Sequence, residues 1–266
     1  MRFIAVLLVV CGCGNDPLCG SGKVEASYTL SNASMTVVIA TAPYSITVSD
    51  AAGNVVLAPS GAGAGSGDGY GTVGWTTGKA SVEKYVDQGY FTFGANLDAW
   101  RDHGRVVSAT PSDGKLDLVV ETGDGCVEIS HSLRDGALRV EAHRVKGGSD
   151  VRAWEVAFAA GSDEGFLGLG ERYDSVDHRG MALYNWPEEG GLTEGEDVPG
   201  SPGNPFPNGP TMTYYPVPFF LSTAGYGFWL DTTYFNQFEL ATESPDRWRA
   251  WEIGPTLAFE VYVPHT

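Results

Sequence analysis

The chain has 266 residues with 16 basic against 33 acidic side chains, a formal net charge of −17. Its 42% apolar and 12% aromatic content is enough for a core, which excludes wholesale disorder. So acidic a chain is repelled by phosphate, which excludes nucleic acid as a partner.

Taken from the amino terminus, Arg2 precedes an unbroken apolar run, Phe3–Val10. That run falls far short of the roughly 20 residues needed to cross a bilayer and has the length of a signal-peptide core. Val10-Cys11-Gly12-Cys13 then resembles a bacterial lipobox, with an aliphatic residue three places and a small residue one place before the modified cysteine. Cys13 fits that role better than Cys11, which follows directly on Val10. The expected organisation is a lipoprotein signal over 1–13, a linker over 14–33 and a β-sandwich domain over 34–266. The protein is expected to be exported and membrane-anchored through lipid on Cys13, in the periplasm or at a bacterial cell surface. Cys19 and Cys126 remain, and in an oxidising compartment two such thiols can pair. His103, His131, His143, His178 and His265 are scattered without ligand spacing, so no metal and no cofactor is expected.

From Ser34 onward the pattern is strand, turn, strand. Met35–Ala40 and Tyr44–Ser49 are rich in β-branched residues and are separated by Ala42-Pro43; Asp50–Asn54 reads as a turn and Val55–Ala58 as the returning strand. Further strands are predicted over Arg105–Thr110, Lys115–Glu121, Val127–Leu133 and Ala137–Val145. Between them Pro111–Gly114, Gly123–Gly125 and Arg134–Gly136 supply turns. Leu118 and Val120 interleave with Asp117, Val119 and Glu121, the alternation of a half-buried strand. No amphipathic helix longer than two turns is evident. The fold class is all-β, an antiparallel sandwich.

Two segments interrupt this rhythm. Gly61–Gly71 is a low-complexity Gly/Ala/Ser loop. Pro187–Pro218 holds eight of the 15 prolines, and a stretch so long without strands points to function or disorder.

Gly165–Leu240 is the least generic part of the chain. It contains Gly168-Leu169-Gly170-Glu171-Arg172-Tyr173, then Asp177-His178-Arg179-Gly180, Tyr184-Asn185-Trp186, Tyr215-Pro216-Val217-Pro218-Phe219 and Gly225-Tyr226-Gly227. In order and spacing these resemble the amino-terminal domain of glycoside hydrolase family 31, a galactose mutarotase-like supersandwich. Leu257–Tyr262 looks like the last strand before that family's catalytic barrel. Without a third Gly or a following helix, Gly168-Leu169-Gly170 is not a dinucleotide fingerprint. Glu171, Asp177 and Arg179 are read as structural, with Glu171 and Arg172 as a pair at the bend, and Gly225-Tyr226-Gly227 as a hairpin.

The resemblance implies that the loop after Tyr184 reaches a sugar pocket and lends it a carboxylate. The family's acidic position is filled here by Pro187, so Glu188 or Glu189 must substitute; Glu188-Glu189-Gly190 is similar to a loop of the sulfoquinovosidase-like branch. Trp186 with an adjacent carboxylate is sensible sugar chemistry, an aromatic face beside a hydrogen-bond acceptor. The candidate substrate-binding residues are therefore Trp186, Glu188 and Glu189. No catalytic residue is assigned. Retaining glycosidases need two carboxyls about 5–5.5 Å apart, which the family carries on a (β/α)8 barrel of about 250 residues, and no βα alternation occurs here. The implied partners are an α-glycoside carbohydrate, the missing barrel and a membrane. Two other readings are a free-standing carbohydrate-binding lipoprotein and an aldose epimerase; the latter needs a positioned acid and base.

Overall fold

The computed structural model describes residues 19–60, 72–85, 90–102, 105–122, 125–147, 150–172, 175–186 and 213–264. Strands follow one another as β1 (Ser27–Ser31), β2 (Met35–Thr41), β3 (Tyr44–Asp50), β4 (Val55–Leu57), β5 (Val73–Thr76), β6 (Gly78–Tyr85), β7 (Tyr90–Leu97), β8 (Arg101–Asp102), β9 (Arg105–Ser112) and β10 (Lys115–Thr122). They continue as β11 (Gly125–Arg134), β12 (Ala137–Lys146), β13 (Ala153–Ala159), β14 (Phe166–Gly170), β15 (Met181–Asn185), β16 (Pro216–Ser222), β17 (Tyr226–Leu230), β18 (Asn236–Leu240), β19 (Arg247–Glu252) and β20 (Thr256–Tyr262). Among the described residues there is no helix, and the protein is all-β.

Alternation in the sequence becomes alternation in burial. In β2 the side chains of Met35, Val37 and Ile39 go inward and Val38 points to solvent; in β10 Leu116, Leu118 and Val120 are fully buried while Lys115 and Asp117 are exposed. Three sheets share the core: β1-β2-β3-β4, β14-β16-β17-β20-β12-β11-β10-β9 and β15-β18-β19-β13-β5-β8. Bonds from Ala157 N to Thr72 O and Ala159 N to Ala58 O, both 2.9 Å, join the segment around β4 and β5 to β13. The four- and six-stranded sheets face the eight-stranded one. Trp248 of β19 meets Phe228 of β17 at 4.9 Å and Phe220 of β16 at 5.1 Å, and Phe158 of β13 meets Phe259 of β20 at 6.4 Å. Truncating any of these rings to Ala would cost about 3–5 kcal/mol.

The four strands predicted over residues 105–145 form one continuous meander, β9 to β12. The strands run a residue or two further than the turn chemistry indicated. Pro111 and Ser112 belong to β9 and Gly125 opens β11, leaving Asp113-Gly114 and Asp135-Gly136 as the turns, with Gly114 at φ +64° and Gly136 at φ +71°. Likewise Gly225, at φ +94°, lies in the β16–β17 hairpin turn, whereas Tyr226 and Gly227 are already in β17. The sheet also begins within the stretch read as linker, 14–33: Ser27–Ser31 pairs along β2. The expected signal 1–13, with Cys11 and Cys13, and the Gly61–Gly71 loop lie outside the described residues.

Cys19 and Cys126 form a disulfide with Cα atoms 5.5 Å apart, tying the segment before β1 to the start of β11. In the core beneath the four-stranded sheet, His131 Nδ1–H donates to Leu116 O at 3.0 Å, because a carbonyl can only accept. Nε2 therefore accepts from the Tyr44 hydroxyl at 2.8 Å. Burial pushes the His131 pKa down to about 4, so the ring is neutral at physiological pH.

Candidate functional site

The segment with the family-like motifs is built around a close, irregular antiparallel pairing of β14 with β16. Gly168 (φ +130°) and Gly170 (φ +85°) flank Leu169, itself at φ +63°, and the register slips between the two glycines. A Cβ on Gly170 would stand 2.0 Å from Tyr215 O, and one on Gly168 would stand 2.7 Å from Phe219 O. Only glycine lets the two backbones approach this far.

Just past this pairing, Arg172 reaches the end of β15. Its Nε donates to Leu169 O at 3.0 Å, one terminal nitrogen donates to Tyr184 O at 2.9 Å, and the same nitrogen bonds Asn185 Oδ1. Glu171, expected to pair with it, is exposed. Asn185 Nδ2 donates to Asn236 Oδ1 at 3.0 Å, and Asn236 Nδ2 donates to Tyr234 O at 3.0 Å. Both asparagines are buried, so the guanidinium and two amides form a hydrogen-bonded clamp across the ends of β14, β15 and β18. Asp177 and Arg179 serve the neighbouring bend. Asp177 Oδ1 accepts from Phe166 N at 2.9 Å, and Arg179 donates to Glu164 O at 2.9 Å and Pro245 O at 2.7 Å.

The clamp holds the root of Trp186, which follows Asn185 directly and is half-buried rather than sealed in the core. Glu188 and Glu189, read with Trp186 as the sugar-binding set, lie outside the described residues, as does most of the Pro-rich segment; its return is seen from Thr213, which is buried, into β16. The segment leaves the edge of the six-stranded sheet at β15 and re-enters the eight-stranded sheet at β16.

The same end of the sandwich carries a group that the motif reading missed. Register places Asn185 opposite Asn236, Asn236 opposite Glu252, Glu252 opposite Trp154 and Trp154 opposite Trp75. These five share the inner face with Leu183, Phe238, Ala250, Val156 and Val73. Glu252 is almost wholly buried beside a small cavity of about 180 Å³ lined also by Asp231, Thr232, Tyr234 and Thr256. Burial pushes its pKa up to about 7; the Thr232 hydroxyl opposes the shift and the Asp231 charge adds to it. The signal was available in β19, where Trp248 and Ala250 point inward and strict alternation carries Glu252 with them.

A comparison with protein families matches residues 21–239 to the glycosyl hydrolase 31 N-terminal galactose mutarotase-like domain. Among curated proteins, the chain is 30% identical over 129 residues to an isomaltosyltransferase of Sporosarcina globispora, covering 48% of this chain and 10% of that protein. It is 29% identical over 101 residues to alpha-xylosidase XylQ of Lactiplantibacillus pentosus, covering 38% and 11%. Among solved structures, a GH31 family sulfoquinovosidase from E. rectale, in complex with an aza-sugar inhibitor, aligns at a TM-score of 0.63 with 14% identity. That alignment covers 90% of this chain and 32% of the enzyme, and at such identity it speaks for the fold alone. The chain thus spans about a tenth of these curated relatives and about a third of the solved enzyme.

Proposed function

Because the chain belongs to the family of glycosyl hydrolase 31 N-terminal galactose mutarotase-like domains, we propose that it is the part of an α-glycosidase that shapes the sugar cleft without performing the chemistry. Its relation to glycoside hydrolases follows from that membership. The finer reading is that the loop rooted at Trp186 closes over an α-linked sugar whose catalytic carboxylates belong to a barrel outside these 266 residues. One observation carries it: the Arg172–Asn185–Asn236 clamp spends two buried amides and a guanidinium on fixing the exit of β15. A loop that was mere connection would not need so rigid a root. Trp186 supplies a stacking face there, and Glu188 and Glu189 follow as acceptors for sugar hydroxyls.

The test uses the full chain with aryl α-glucoside and α-xyloside, chosen after the named relatives, and reads tryptophan fluorescence and phenol release together. A saturable fluorescence change that is lost in Trp186→Phe, with no hydrolysis, is the expected result. Hydrolysis by the chain alone would overturn the assignment of chemistry to another domain. An unchanged response in the variant would remove Trp186 from the site.

Export and lipid anchoring through Cys13 belong to the same proposal. The disulfide between Cys19 and Cys126 supports it, since such bonds persist in oxidising compartments. Labelled palmitate incorporated by cells producing the wild-type chain, and absent from Cys13→Ala, is the expected outcome.

A further inference from the structure

At the end of the sandwich where β12, β19 and β15 finish, an open cleft of about 800 Å³ separates the two main sheets. One wall is the end of β12, with His143, Arg144 and Lys146. The other is the approach to β13, with Asp150 and Arg152, and the β19–β20 turn at Ile253–Thr256 closes the floor. Tyr234 stands at the side, 49% exposed, its ring seated against Gly254, where a Cβ would come within 3.1 Å of it. Its backbone is fixed at both groups: Tyr234 N donates to Thr232 Oγ1 and Tyr234 O accepts from Asn236, each at 3.0 Å.

The charge of this cleft runs against that of the molecule. The chain has about twice as many acidic as basic side chains, yet three of its 16 cations line the cleft against one carboxylate, Asp150. Lys146 and Arg152 are exposed, and they come from different sheets, Lys146 from the end of β12 and Arg152 from the approach to β13. A single small anion needs donors that converge on one point. Cations distributed over two walls of an open groove suit a ligand that carries its negative charges apart. The volume lies toward the upper end of the roughly 300–1,000 Å³ of ligand clefts, more than one sugar ring requires. The rigid, partly exposed Tyr234 ring offers the flat apolar face on which a pyranose stacks.

We propose that this cleft binds an acidic oligosaccharide, two or more rings bearing carboxylates, with Lys146 and Arg152 meeting anionic groups on either wall and Tyr234 stacking on one ring. Tyr234 meets the Trp186 site only through its backbone carbonyl, which accepts from Asn236, so side-chain variants in the cleft test this inference separately from the reading above.

Calorimetric titration of the full chain with a tri-galacturonate, with neutral maltotriose and with inorganic phosphate tests it. The tri-uronate is expected to bind roughly ten-fold more tightly than either control, and to weaken as salt rises. Lys146→Glu combined with Arg152→Glu, both at exposed positions, should lower that affinity at least roughly ten-fold with the melting temperature unchanged. Tyr234→Ala should weaken the tri-uronate and leave phosphate untouched. Equal binding of the neutral trisaccharide, phosphate as tight as the tri-uronate, no loss on charge reversal, or no tri-uronate binding at roughly millimolar concentration would each overturn the proposal. Trp186→Phe, measured alongside, should leave this binding unaltered, which separates it from failure at the other site.

Discussion

His131 and Glu252 are both ionisable side chains buried on the inner faces of the sandwich, and their surroundings differ in kind. His131 is sealed: one ring nitrogen donates to Leu116 O, the other accepts from Tyr44, and the closely packed core surrounds them. Glu252 stands in the middle of a cross-strand row, between Trp154 and Asn236, against open space shared with Thr232 and Asp231. A buried polar group whose partners fill its bonding capacity specifies packing. One that faces a cavity at an open end is available to a ligand, and its pKa is displaced by the cost of holding charge there. The contrast separates the sealed interior of the sandwich from its open end.

His131→Ala should show the largest effect. It removes ring volume from the core and leaves the Tyr44 hydroxyl and Leu116 carbonyl without their partner, a loss of about 3–5 kcal/mol at neutral pH by chemical denaturation. The pH dependence carries the sharper information. The folded pKa of about 4 lies below the ordinary value of 6.5, so the unfolded chain binds this proton more readily. The wild-type contribution, about 3 kcal/mol, is present above pH 6.5 and disappears as pH falls toward 4. The penalty of His131→Ala should therefore shrink across that window. A penalty that stays constant from pH 8 to pH 4.5 would mean that the imidazole is not held neutral.

Glu252→Gln should act with the opposite sign. Here the folded pKa of about 7 lies above the ordinary 4.5, so the folded chain binds the proton more readily. That contribution is complete below pH 4.5 and is lost as pH rises through 7, leaving a carboxylate held in a poor environment. Gln removes this liability, and the variant should gain up to about 3 kcal/mol over wild type above pH 7 and nothing at pH 4.5. In the wild type the two slopes oppose each other between pH 4.5 and 6.5, so each variant should expose the other group's slope. Arg172→Ala comes next, with a loss of about 2 kcal/mol for hydrogen bonds made by a charged group, together with a weaker fluorescence response to α-glycosides.

The fold was legible because its strands follow period two with Gly and Asp between them. The meander β9–β12 needed only that rule, and its ends moved because pairing continues through Pro111 and Ser112 once β10 lies alongside. β13 was harder: Ala153–Phe158 is buried on both faces, and Glu155 alone interrupts its apolar run. β1 was hidden in a polar stretch, since Ser27, Thr29 and Ser31 are edge positions whose partner is known only after folding. At the candidate site, the motifs located Trp186 but not what holds it. The clamp joins residues 172, 185 and 236, and no local pattern announces a contact over such separations. Glu252 is within reach of simple alternation, since it follows Trp248 and Ala250 at period two in β19.

The smallest effect on stability belongs to the outer face of the eight-stranded sheet, and there the contrast between interior and surface can be broken. Leu221 is 52% exposed on β16, with Leu167 opposite it on β14 and Gly227 on β17, while Phe219, Trp229 and Tyr262 are half-buried beside it. Beside them on the same face Arg139 holds Glu260 at 3.0 Å and Asp231 at 2.9 Å, just as Arg249 on the outer face of the six-stranded sheet holds Glu239 at 2.6 Å and Glu155 at 3.3 Å. Both outer faces thus pair their charges, and the eight-stranded one adds half-open apolar rings, as a surface that meets another surface does. Leu221→Asp should change stability by no more than about 0.5 kcal/mol, because the side chain touches mostly water. It should nevertheless abolish the concentration-dependent self-association expected of the wild-type chain in sedimentation velocity. If both proteins sediment as monomers at every concentration, the apolar face is simply tolerated by solvent and meets no second surface.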